Sequence, residues 1–66
     1  MNREFKEGDT FVNKHSGFCI TLITGPYFDM MYKETVYKCE ANEPREGERY
    51  TILEKNLIKD YRLLSI

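Results

Sequence analysis

The chain has 66 residues, with ten Lys+Arg against eleven Asp+Glu and a formal charge of −1, so it is read as one domain spanning 1–66. Near-neutral charge argues against a dedicated basic nucleic-acid binder and against a strongly acidic mimic. A domain this small rarely encloses the ~300 Å³ or more that a small-molecule site needs, so no enzyme, cofactor or metal is expected.

In chain order, Gly8-Asp9 is a turn signal, and Phe5 before it is placed to anchor the N-terminal arm on the body. Thr10-Phe11-Val12-Asn13 is rich in strand formers, and Lys14-His15-Ser16-Gly17 fits a hairpin turn. The segment 18–24 is the densest in β-branched and aromatic residues. Alternation puts Phe18, Ile20 and Leu22 on one face and Cys19, Thr21 and Ile23 on the other. Both faces are substantially apolar, which suits a curled barrel. Gly25-Pro26 is expected to end this strand, because proline donates nothing to a ladder. The apolar run Tyr27-Phe28-Asp29-Met30-Met31-Tyr32 follows that breaker, and Lys33-Glu34 reads as a turn or a strand continuation. Residues 35–40 form a strand. Residues 41–48 form an acidic loop with Pro44 and Gly47, and 49–53 form the next strand. Residues 54–59 read as one 3₁₀ turn, with Leu53, Leu57 and Ile58 available to the core. Asp60 ends it, and 61–66 close as a terminal strand.

These elements predict an all-β fold: a single small SH3-like barrel of about five strands with one helical turn before the last. Strands this short must curl to hide their edges and apolar face. The alternative is a small α+β domain with 53–60 as a longer helix on an open sheet.

The pattern Phe5-Lys6-x-Gly8-Asp9-x-Phe11, Ser16-Gly17, Ile20-Thr21-Leu22, Tyr50-Thr51-Ile52 and Leu57-Ile58-Lys59-Asp60-Tyr61 resembles the small SH3-like-barrel proteins of bacteriophages and mobile elements. Most of these have no known function. The Gly8-Asp9 turn is also similar to that of KOW and Tudor-like barrels. The resemblance implies an accessory protein acting in a bacterial cytoplasm by binding and modulating or inhibiting a host protein. Richness in Lys, Asn, Ile and Tyr, without Trp, fits an AT-rich coding genome.

Two segments depart from a plain barrel and are candidate contact surfaces. In the first, Tyr27, Phe28, Met30, Met31 and Tyr32 either pack the barrel end or form an exposed patch for a partner or a second copy. In the second, Glu43 and Glu46 make the 41–48 loop either a solvated acidic loop or a docking surface for a basic partner. The alternative reading is nucleic-acid binding, with Lys14, Lys33, Lys38 and Arg62 interleaved with aromatics. One shared face for these four favours nucleic acid, and dispersal favours protein. No catalytic set is expected. His15 is alone in a polar turn, and Cys19 and Cys39 read as small half-buried thiols without metal-ligand spacing. The charged N-terminus lacks an apolar signal-peptide region, and no apolar run is long enough to span a membrane. The chain is expected to be a monomer or homodimer.

Overall fold

The computed structural model describes residues 5–43 and 45–64. Five antiparallel strands make one sheet: β1 (Thr10–Asn13), β2 (Cys19–Asp29), β3 (Glu34–Ala41), β4 (Arg49–Leu53) and β5 (Tyr61–Leu64). A short helix, α1 (Glu54–Asp60), joins β4 to β5. The strand order is β4-β3-β2-β1-β5, so β4 and β5 are the two edges and the sheet is not closed between them.

The connection forces the sheet to curl. Five flat strands would hold their edges about 19 Å apart. The seven residues of α1 span only about 10 Å, with no linker on either side. Curling brings the edges together, and the Tyr50 side chain on β4 meets Tyr61 on β5. The inner face then packs Phe11, Ile20, Leu22, Tyr37, Cys39 and Ile52 around Leu57 of α1. Phe5 closes this core as expected, with its ring edge-on to Phe11 at 5.0 Å. Leu57 is the one buried residue of α1, while neighbouring Ile58 is largely exposed.

The outer face is more polar. One transverse row runs through Leu64, Thr10, Thr21, Glu40 and Arg49 on the five strands. Within it the Thr10 and Thr21 hydroxyls lie 3.2 Å apart, and Arg49 meets Glu40 at 3.4 Å. Cys39 lies opposite Leu22 on the inner face, whereas Cys19 lies opposite Val12 on the outer one. The two thiols are therefore on opposite sides of the sheet.

Three expectations are corrected. First, β2 does not stop at Gly25-Pro26 but runs on to Asp29. Its register with β3 slips between Leu22 and Thr24 and again between Thr24 and Tyr27. Each slip adds an unpaired residue to β2. Such bulges let a strand pass a proline without a missing ladder bond. Second, the segment before the last strand is an α-helix rather than a 3₁₀ turn. Third, Ala41 belongs to β3 and shortens the acidic loop. Pro44 in that loop, and Ser65 and Ile66 of the expected terminal strand, lie outside the described residues.

Candidate functional site

Both hairpin loops of the sheet's centre are built by one device. In the β1–β2 loop, Asn13 heads four residues, Lys14-His15-Ser16-Gly17. Its Oδ1 accepts from the N–H groups of His15 (2.7 Å) and Ser16 (2.9 Å). The Gly17 N–H donates to the Asn13 carbonyl at 2.9 Å, and Gly17 takes φ +83°. In the β2–β3 loop, Asp29 heads Met30-Met31-Tyr32-Lys33. Its Oδ1 accepts from Met31 N–H (2.8 Å) and Tyr32 N–H (3.1 Å). The Lys33 N–H donates to the Asp29 carbonyl at 2.6 Å, and Lys33 takes φ +56°. The backbone plan is shared, since Asn and Asp side chains naturally mimic a turn in this way.

The side chains differ. The first loop is polar and ends in Gly, the residue that tolerates left-handed φ freely. The second is apolar and ends in Lys, for which that conformation costs roughly 1–2 kcal/mol. Turn formation therefore does not require Met30, Met31 or Tyr32, nor Lys33. These residues face solvent: Tyr27 is 39% exposed, Phe28 60%, Met30 76%, Met31 92% and Tyr32 56%. Of the two alternatives for the segment, exposure is the one the structure has. Glu34 at the base pairs with Lys55 of α1 at 3.4 Å, tying the hairpin to the helix.

The other candidate residues lie elsewhere. Glu43 and Glu46 are exposed in the loop after β3, whereas the aromatic tip precedes it. The eight residues of β3 separate them, roughly 23 Å of strand. The tip and the acidic loop therefore do not form one surface. Lys14 and Lys33 sit beyond opposite ends of β2. Lys38 on β3 and Arg62 on β5 share the outer face but have β2 and β1 between them. The Lys14 ammonium donates to the Lys59 carbonyl at 3.3 Å. These four cations are dispersed rather than strung along one strip. His15 Nε2 stands 3.5 Å from Asp60 at the surface, away from both cysteines in the ladder.

Sequence reading missed two phenols that join the sheet to its closing elements. The Tyr37 hydroxyl, on β3, donates to Glu54 Oε2 in the first turn of α1 at 3.1 Å. Burial, that hydrogen bond and the Glu54 and Asp9 charges push its pKa up to about 12. Tyr50 is also pushed up, by burial first and then by its hydrogen bond with Tyr61. Burial pushes the Cys39 thiol up as well. A one-residue alternation of core positions flags Tyr37 as inward-facing, but nothing local reveals Glu54 as its acceptor.

These phenols give a pH prediction. A group whose pKa is higher in the folded chain than in the unfolded one stabilises the fold below its unfolded value and withdraws that stability as pH rises. An unfolded tyrosine titrates near ~10, and Tyr37 near 12 when folded. Stability should therefore fall across that window. Tyr37→Phe should cost about 1–2 kcal/mol at neutral pH and make the alkaline fall shallower. Urea midpoints measured for both proteins over a pH series check this, and parallel alkaline slopes would refute it.

Compared with known proteins, the chain matches no protein-family model, no curated protein and no solved structure.

Proposed function

We propose that this chain is a non-catalytic protein-binding module whose contact surface is the β2–β3 hairpin tip. Its partner is a protein of a bacterial host cytoplasm, which it modulates or inhibits by occlusion. The chain is then an accessory protein of the phage and mobile-element kind it resembles. An SH3-like barrel left open between β4 and β5 is the fold proposed for it. The strand order, with β5 returned beside β1 and a helical segment between β4 and β5, supports that reading.

One observation carries the functional reading. The same four-residue turn is made once with polar residues and glycine, and once with Met-Met-Tyr-Lys held in solvent. The second loop gives up stability at Lys33 and exposes apolar surface without any gain to the turn. Backbone strain kept where the fold does not need it points to function. Aromatic and methionine side chains suit a partner's pocket, the aromatics by area at low entropy cost and the methionines by adaptability. The dispersal of Lys14, Lys33, Lys38 and Arg62 supports protein over nucleic acid as the partner.

A loop transplant tests the reading directly. Met30→Lys, Met31→His, Tyr32→Ser and Lys33→Gly together copy the β1–β2 loop into the β2–β3 position. The melting temperature should stay the same or rise. Capture of a host protein from nuclease-treated bacterial lysate, read by mass spectrometry against the parent chain, should be lost. Equal capture by both proteins would exclude the tip as the contact surface. Capture that disappears on nuclease treatment of the parent chain would move the reading to nucleic acid.

A further inference from the structure

We infer that, when no partner is bound, the hairpin tips of two copies cover each other in a two-fold dimer. Dimerisation would then regulate access to the contact surface. The inference rests on the reading of the tip as a contact surface and names its resting occupant. Three observations support it.

The first is area. At about 200 Å² for a full side chain, the exposures of Tyr27, Phe28, Met30, Met31 and Tyr32 amount to as much as roughly 650 Å². That exceeds the patch of ~300–600 Å² that a typical monomer leaves open. Two such tips together reach about 1,300 Å², within the size range of stable interfaces.

The second is the backbone. Three consecutive N–H groups of the loop, at Met31, Tyr32 and Lys33, are all satisfied by Asp29. A loop whose donors are internally bonded can be dehydrated without leaving them orphaned. This one is prepared for burial against something dry.

The third is charge. Asp29 and Lys33 flank the loop with opposite signs, and Glu34 at its base is paired with Lys55. A tip with both signs at its rim does not repel its own copy, and a two-fold axis sets unlike charges facing each other. A tip of one sign would be excluded from self-contact.

Sedimentation equilibrium of the full chain, from about 5 μM to about 1 mM, tests the dimer. The expected result is a concentration-dependent shift from 7.9 kDa to twice that mass. Met31→Glu, at the most exposed residue of the tip, should weaken association at least about thirtyfold with an unchanged circular-dichroism spectrum. A protein that stays monomeric at the highest concentration overturns the dimer. A dimer that survives Met31→Glu but is lost in Leu64→Glu also overturns it, by placing the seam on the β5 edge. Capture of host protein by the parent chain and its loss in the loop transplant are scored separately. A monomer that still captures through the tip removes only the dimer. A tip-dependent dimer with transplant-insensitive capture upholds the dimer and removes the host-contact reading.

Discussion

Leu57→Ala is expected to lower stability by about 3 kcal/mol, with 2–5 the usual span for deleting a fully buried leucine. Leu57 is 0% exposed and is the one buried side chain of α1. It packs α1 against a core drawn from β1, β2, β3 and β4. The helix is too short to persist by its own propensity. It also lacks a side-chain N-cap hydrogen bond. Its position, and the curl of the sheet it enforces, therefore depend on this contact and on Tyr37–Glu54. A domain of this length is stable by only roughly 3–10 kcal/mol, so the variant should be largely or wholly unfolded near physiological temperature. Thermal unfolding should show a fall of at least about 12 °C. Ile58→Ala, one position on and exposed, should shift the midpoint little. Similar losses in the two variants would mean that α1 is not pinned through Leu57.

Gly25→Ala is expected to cost about 2–4 kcal/mol, adding a steric clash to the ~1–3 kcal/mol of a disallowed backbone angle. Gly25 has φ +123°. A Cβ there would meet Tyr37 Cδ2 at 2.9 Å, Tyr37 Cα at 3.1 Å and the Val36 carbonyl oxygen at 3.2 Å. Two of those three atoms are backbone of β3 and cannot swing aside. Gly17 also has positive φ but has open space around its Cβ position. Gly17→Ala should therefore cost only the conformational part, about 1 kcal/mol. The Gly25 variant should in addition loosen residues 26–34, because the bulged segment seats the far half of β2 on β3. Hydrogen exchange of amides in the β2–β3 hairpin, set beside melting temperatures for both variants, measures the difference. Equal costs at Gly17 and Gly25 would show that close packing on Tyr37 is not what the glycine serves.

Sensitivity at Leu57 and Gly25, set against tolerance at residues 30–33, would separate scaffold from surface. The scaffold holds a hairpin whose tip is chemically replaceable. The tip carries apolar residues that neither the turn nor the core uses.

Composition, alternation and turn chemistry were sufficient for much of this. Phe11, Ile20 and Leu22 alternate with polar neighbours, and that period alone identifies a strand face and hence the core. Phe5 is isolated in a charged arm, so burial was its evident role. Gly17 after a short polar run signals the first hairpin. The unusual apolar character of residues 27–32 was also legible, because five large apolar side chains in six positions need a partner of some kind. Which partner was not legible. Whether those side chains turn inward depends on two bulges, and a bulge leaves no periodic mark: it shifts register by one residue and reverses the facing of everything after it. The same bulges carry β2 through Pro26, where local propensity ends a strand. The length of α1 was likewise settled by Leu57 and Tyr37–Glu54, contacts between residues distant in sequence. The separation of Glu43 and Glu46 from the tip, the dispersal of the four cations and the opposite faces of Cys19 and Cys39 follow from strand pairing. Short-range sequence encodes which residues prefer to be buried or to turn, whereas register and curl are decided by how the strands meet.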